Sequence, residues 1–156
     1  MNTTELLHAF RAAVEAEDPT RFAALFTEDG VYHDIFYGEF RGRERIAAML
    51  RDWFSRDATD FRWDMFQPVC DGETLYARYV FSYRSKLPEA AGRRAMFEGV
   101  SIMTLRGGLI AHYKEIANPA TGFVDMGFAP ERIARISAKQ AAALRARPEA
   151  ARHTPD

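Results

Sequence analysis

Near residue 61 the spacing of apolar side chains changes from the three-and-four step of helices to the two-step of strands. No other feature constrains the fold as much. Before that point Leu6, Leu7, Phe10 and Val14 recur at helical spacing, so residues 3–17 read as an amphipathic helix. Asn2 and Glu5 have the spacing of a capping box that opens it, with Asn in place of Ser or Thr. Asp18-Pro19 reads as an N-cap followed by proline at the first helical position. Phe22, Leu25 and Phe26 give this second, short helix its buried stripe, and Asp29-Gly30 stops it. A first strand spans residues 31–35, Gly38 and Gly42 punctuate a loop, and Ile46, Met49, Leu50 and Trp53 mark a third helix over 43–54. Residues 55–60 are polar and read as a connection.

Beyond the change of period, Phe61, Trp63 and Met65 alternate with Arg62, Asp64 and Phe66. Asp71-Gly72 signals a hairpin. The strand over 73–85 carries Leu75, Ala77, Tyr79, Phe81 and Tyr83 on one face, and Thr74, Tyr76, Arg78, Val80 and Ser82 on the other. Pro88 to Gly92 is a turn. Strands over 94–105 and 109–117 meet at Gly107-Gly108. Asn118-Pro119 ends the strand region, and Pro130 opens a last helix with a thin stripe of Ile133, Ile136 and Leu144. The segment from Pro148 is a polar tail expected to fray. Helices segregated from strands predict an α+β fold. It is a cone-shaped α+β barrel: a curved, mostly antiparallel sheet, closed at one end by three helices from the N-terminal half around a pocket, plus a C-terminal helix. The expected divisions are one domain over residues 1–128, a helical extension over 129–147 and a tail over 148–156.

The chain's 156 residues, 47% of them hydrophobic, suffice for one sizeable core. Its 13% aromatic content suits both that core and the wall of an apolar ligand cavity. A net charge of −1 gives no electrostatic case for nucleic acid or an anionic membrane. The single cysteine, Cys70, excludes an intramolecular disulfide framework. No apolar run approaches the roughly 20 residues of a membrane span, and no basic stretch leads into an apolar block at the N-terminus. The expectation is a soluble cytoplasmic protein.

Asp34 lies between aromatic and apolar residues in Val31-Tyr32-His33-Asp34-Ile35-Phe36-Tyr37-Gly38. Such neighbours raise a carboxyl pKa and suit a general base. The alternative is a hydrogen-bonded Asp that ends a strand. Tyr32 shares a strand face with Asp34, as a proton donor or a holder of substrate oxygen, or as a core tyrosine. Glu115 shares its face with Leu109, Ala111 and Tyr113, which makes it a buried-acid candidate, and Arg78 is the natural partner for its charge. Arg78 points outward instead if the more apolar face of its strand lines the cone. His33 and His112 alternate away from Asp34 and Glu115 and read as surface or interface residues. No cluster has metal-ligand spacing, and no nucleophile elbow, phosphate loop or dinucleotide fingerprint appears, so neither metal nor cofactor is expected.

Four segments carry a resemblance to a known family. They are Phe22-Ala-Ala-Leu-Phe-Thr-Glu-Asp-Gly30, Val31 to Gly38 leading to Gly42-Arg-Glu-Arg-Ile46, Phe97 to Gly108, and Leu109-Ile-Ala-His-Tyr-Lys-Glu-Ile116. The pattern resembles the nuclear-transport-factor-2-like superfamily, in particular its SnoaL-like branch. That superfamily hosts isomerases, cyclases, dehydratases, epoxide hydrolases and plain binding modules. By resemblance, Asp34 falls where ketosteroid isomerases carry their proton-abstracting Asp. Their oxyanion-stabilising Tyr maps to Phe10 and their second, protonated Asp maps near Ser101, so that hole is not conserved in kind. In limonene-type epoxide hydrolases the water-holding Tyr and Asn map to Tyr32 and Asp34. The Arg of their Asp–Arg–Asp relay maps to Arg78, with the flanking Asp residues at Glu115 and Val80. The acidic base of SnoaL-like cyclases falls in the region of Glu115.

The leading expectation is an acid–base enzyme, working without a cofactor on a small, apolar, oxygenated molecule. Its chemistry is of the isomerase, cyclase, dehydratase or epoxide-hydrolase type. Asp34, Tyr32, Glu115 and Arg78 are the candidate catalytic residues. Ser101, Trp63, Trp53, Tyr113, Met103 and Phe10 are the candidate substrate-binding residues. Two carboxyls in one low-dielectric pocket repel, and one then stays protonated near neutrality. The alternative is a non-catalytic small-molecule-binding or dimeric assembly module. Under either, the resemblance implies a homodimer paired through the outer sheet face.

Overall fold

A computed structural model describes residues 2–153 of the chain. Helix α1 (Thr3–Glu15) opens with the capping box: Asn2 Oδ1 accepts from Glu5 N at 2.9 Å, and Glu5 Oε2 accepts from Asn2 N at 2.8 Å. Asp18 caps α2 (Pro19–Ala24) by accepting from Arg21 N at 2.9 Å. The first strand is longer than its apolar run suggests, β1 spanning Phe26–Asp34. Gly30 does not stop a helix. It sits at a register shift in β1, where a Cβ would lie 2.9 Å from Thr27 O and 3.2 Å from Ile110 O. Only a residue without a side chain fits there.

The expected loop after β1 contains a short strand, β2 (Gly38–Arg41), hairpinned onto β1 with Asp34 opposite Gly38. Helix α3 (Arg43–Ala48) runs on as a π-helical stretch (Met49–Phe54) and one last turn, α4 (Ser55–Asp57). Strands β3 (Ala58–Cys70), β4 (Thr74–Ser85), β5 (Arg94–Arg106) and β6 (Leu109–Asn118) form the expected antiparallel meander. Strand β1 joins it parallel to β6, giving one six-stranded sheet in the order β2-β1-β6-β5-β4-β3. The sheet is curved and does not close on itself. Register shifts interrupt β3 twice, and such bulges bend a strand.

Helix α1 packs across β3, and α2 packs against α3. Phe10, Phe22, Phe26, Tyr32, Trp63, Leu75, Tyr79 and Tyr113 are buried among them. A second, smaller core forms where α5 (Ala120–Asp125) lies on β5. Ala90, Ala95, Phe123 and Met126 are buried there, with Ile133 and Ile136 of α6 (Pro130–Arg145) against them. The sequence showed no sign of α5. Helix α6 has no buried residue. Beyond it, Pro148–His153 winds into a 3-10 segment; the rest of the expected tail, residues 154–156, lies outside the described residues. No helix among the described residues is long and apolar enough to cross a membrane.

Candidate active site

Where the sheet curls away from the π-helical stretch and α4, a cavity of about 200 Å³ remains. Its wall is aromatic. Tyr32, Phe54, Phe61, Trp63, Phe81 and Phe97 come from β1, the π-helical stretch and the inner faces of β3, β4 and β5. Phe123 and Met126 of α5, Phe128, and Arg132 and Ile136 of α6 complete one side. Three carboxyl groups line it: Asp34, Asp57 and Glu115.

Asp34 ends β1 and holds the turn into β2. Its Oδ1 accepts from Phe36 N at 2.8 Å and from Tyr37 N at 2.9 Å. Its Oδ2 has no hydrogen-bond partner among the described residues. Burial pushes its pKa up to about 6, against the two amide donors, which favour the carboxylate.

Glu115 comes from β6. Tyr79 of β4 donates to its Oε2 at 2.6 Å, and Tyr113 donates to the same oxygen at 3.0 Å. Ser101 Oγ lies 3.1 Å from the Tyr113 hydroxyl, extending the chain one residue further into the core. Glu115 keeps some accessible surface where it lines the cavity. Loss of water, followed by the nearby Asp34 charge, nonetheless raises its pKa to about 8. Glu115 therefore holds its proton to a higher pH than Asp34 does.

At the mouth, Tyr37 donates to Asp57 Oδ2 at 2.6 Å. The Arg56 guanidinium beside Asp57 holds its carboxyl below the usual range. Burial pushes the Tyr83 hydroxyl up to about 12, and raises Tyr32 and Tyr113 further, so all three are protonated donors. Two buried polar atoms have no partner among the residues that line the cavity: Tyr32 Oη and Trp63 Nε1. Among the described residues no three His, Cys, Asp or Glu side chains gather as metal ligands would.

Residues 7–113 match the SnoaL-like domain. The chain belongs to the SnoaL-like family. No curated protein matches it. Among solved structures, a protein of ketosteroid isomerase-like fold from Catenulispora acidiphila, in complex with trimethylamine, superposes with a TM-score of 0.72 at 19% identity, over 82% of this chain and 96% of that one. A candidate polyketide cyclase from Pseudomonas putida gives 0.64 at 24% identity, over 80% and 98%. An LEH-like epoxide hydrolase from M. tuberculosis gives 0.63 at 19% identity, over 78% and 86%. These likenesses are of fold.

Within this SnoaL-like protein, Asp34, Tyr32, Glu115 and Trp63 come together at the cavity. Tyr113 and Ser101 stand one layer behind it, as the support of Glu115. Met103 and Phe10 do not line it; both are fully buried, with Phe10 stacked on Tyr113 at 5.4 Å. Trp53 does not line it either. It is 39% exposed, with the Arg56 guanidinium over its ring at 5.2 Å. Arg78 is not a partner of Glu115. It lies on the outer sheet face, exposed, 3.7 Å from Glu98 and stacked over Phe66. The reason is the alternation of β4, whose more apolar face (Leu75, Ala77, Tyr79, Phe81) turns inward. Tyr79 takes the role expected of Arg78, as a neutral donor in place of a cation. One signal for it exists in the sequence: Tyr79 pairs with Gly99, the one residue of β5 that leaves space for a ring above it. The roof from α5 and α6 lies outside the family match and had no chemical signature.

Proposed function

We propose that this protein is an acid–base enzyme acting on a small, apolar, oxygenated molecule, with Asp34 as the base and Glu115 as the acid. The observation that carries this reading is the pair of carboxyls on one aromatic cavity in different surroundings, Asp34 held by two backbone amides and Glu115 by two tyrosine hydroxyls. Asp34 has an oxygen free to take a proton. Glu115 has both its neighbouring tyrosines on Oε2, which leaves Oε1 to carry a proton toward the ligand. An ionised base beside a neutral acid suits enolisation, ring closure, dehydration or water addition.

Asp34→Asn tests it. Asn retains Oδ1 and with it both amide contacts of the β1–β2 turn, so the fold survives, but it takes no proton. Turnover on a panel of ketones and epoxides falls by orders of magnitude if Asp34 is the base. Unchanged turnover removes it from the mechanism.

One observation favours a second reading, a ligand-binding module. Asp34 already has a structural task, since its Oδ1 closes the turn before β2. Under that reading ligand affinity is indifferent to Asp34→Asn. Either reading includes a homodimer. Phe66, Tyr76, Val100 and Ile116 form an exposed apolar patch across four strands of the outer sheet face, and a second copy of the chain covers it.

A further inference from the structure

Strand β2 is a four-residue edge strand that pairs with β1 alone, so the turn between them, Ile35 to Tyr37, has no neighbouring strand to fix it. Tyr37 reaches out of that turn. Its hydroxyl donates to Asp57 Oδ2 at 2.6 Å, and its ring stands edge-on to Trp53 at 5.5 Å. Asp57 is itself held firmly. Arg56 Nε and Nη2 donate to its two carboxyl oxygens at 2.7 Å each, a directional fork. Its carbonyl accepts from Lys86 N at 2.8 Å, and β3 begins at the next residue, with Ala58 opposite Ser85. A phenol on a carboxylate at a cavity mouth would matter little if it ended there. The same residue's backbone N, however, donates to Asp34 Oδ1, beside that of Phe36. Arg56, Asp57, Tyr37 and Asp34 thus form one connected chain of hydrogen-bonding residues from the start of β3 to the end of β1.

We propose that Tyr37, moored by Asp57 and Arg56, is a positioning residue of the site: it ties the tip of the β1–β2 hairpin to the start of β3 and so keeps the two amides of the turn on Asp34. The inference rests on the acid–base reading above for its purpose, but not for its geometry. Both amides take Oδ1, which leaves Oδ2 as the oxygen free for a ligand. A turn that swung away would release Oδ1 and with it the direction of the carboxyl. A group held by supports of its own is aimed before the ligand arrives, and that is where precision in a site comes from. The two amides also favour the charged form of Asp34, against burial. Tyr37 therefore acts on Asp34 through the backbone, without touching the ligand's reacting atoms.

Tyr37→Phe tests it, since it removes one oxygen and keeps the ring. Asp34 also faces Glu115 of β6, Tyr79 and Tyr83 of β4 and Tyr32 of its own strand, with Asp57 and Arg132 on the same cavity wall. The substitution changes the charge of none of them. Carbon-detected NMR titration of the intact protein then finds Asp34 about one pH unit higher than in the wild type. The backbone amides at positions 36 and 37 exchange roughly tenfold faster. Asp57→Ala gives the same titration shift, and the double variant adds nothing to either. Asp57→Asn, which keeps an oxygen for the phenol, stays closer to the wild type. An Asp34 titration that stays or falls overturns the proposal even where the amides exchange faster, because the tie then holds backbone only. Additive shifts overturn it as well, because Tyr37 and Asp57 then act separately. These readouts need no substrate. Failure here leaves the acid–base reading to Asp34→Asn kinetics, and failure of those kinetics leaves the titration shift standing.

Discussion

Ser101 and Glu115 stand directly opposite one another on β5 and β6, and the Tyr113 hydroxyl links their side chains, 3.1 Å from Ser101 Oγ and 3.0 Å from Glu115 Oε2. With Tyr79 on the same carboxyl oxygen, this chain fixes where Glu115 holds its proton. Both tyrosines donate to Glu115 and so favour its charged form. Removing either donor by Tyr79→Phe or Tyr113→Phe raises the Glu115 pKa above about 8. Carbon-detected NMR titration of the carboxyl reads this directly. A fall in pKa would mean that the hydroxyls do not act on Glu115.

Gly99 supports the same contact from the neighbouring strand. A Cβ there would lie 2.7 Å from the Tyr79 hydroxyl and 2.6 Å from Ile116 O. Gly99→Ala therefore displaces Tyr79 from Glu115 and costs about 1–3 kcal/mol, the range for overpacking. Chemical denaturation measures the cost. The titration of Glu115 then shifts as in Tyr79→Phe, and an unshifted titration would show that the ring had not moved.

Stability should fall as pH rises from about 4 to about 8. Asp34 and Glu115 have folded pKa values of about 6 and about 8, both above those of free carboxyls. Between the two limits the folded protein binds more protons than the unfolded chain, so raising pH favours unfolding. The contribution is complete below the unfolded pKa values and is lost as each carboxyl is forced to ionise. Glu115→Gln removes most of the slope and stabilises the protein at pH 8, on the order of a few kcal/mol. Urea melts at several pH values check it. A variant whose melts parallel the wild type would refute the shift.

Ending the chain after Ala129 removes Arg132 and Ile136 from the cavity wall. It also breaks the ion pair between Arg132 and Glu89. Because α6 buries no residue fully and only Ile133 and Ile136 pack on the small core, the loss is about 1–3 kcal/mol. The truncated protein stays folded by circular dichroism. Its affinity for a small apolar fluorescent probe falls severalfold as the roof opens to water. Undiminished affinity would remove α6 from the site.

Ile116 is 68% exposed on the outer face. Ile116→Glu, which touches nothing in the cavity, converts the expected dimer to a monomer in sedimentation without altering the melt by more than about 0.5 kcal/mol. A wild-type monomer at micromolar concentration would dispose of the pairing.

How much was legible from the residues differs between fold and site. The meander over β3 to β6 follows from alternation and from Asp71-Gly72 and Gly107-Gly108, all local signals. Strand β2 was missed because Gly38 to Arg41 is too short to show a period. Helix α5 was missed because its residues follow Asn118-Pro119, which reads as punctuation. At the site, Asp34 and Glu115 stood out as carboxyls among apolar neighbours. Tyr79 did not, since a tyrosine on an inward face is ordinary core until its hydroxyl is seen to reach another strand.

The sequence by itself determined the run of helices before the strand meander, the alternation of each long strand and the two carboxyls among apolar neighbours, because each depends on spacing within a few residues. The tertiary structure decided that the donors to Glu115 are Tyr79 and Tyr113, and that Arg78 lies outside with Glu98. It also decided that Trp63 faces the cavity and Trp53 the solvent. Those assignments depend on register between strands and on the curl of the sheet, which bring together residues as far apart as Asp34 and Glu115, and on burial, which sets their protonation. Neither quantity is local to any stretch of the chain.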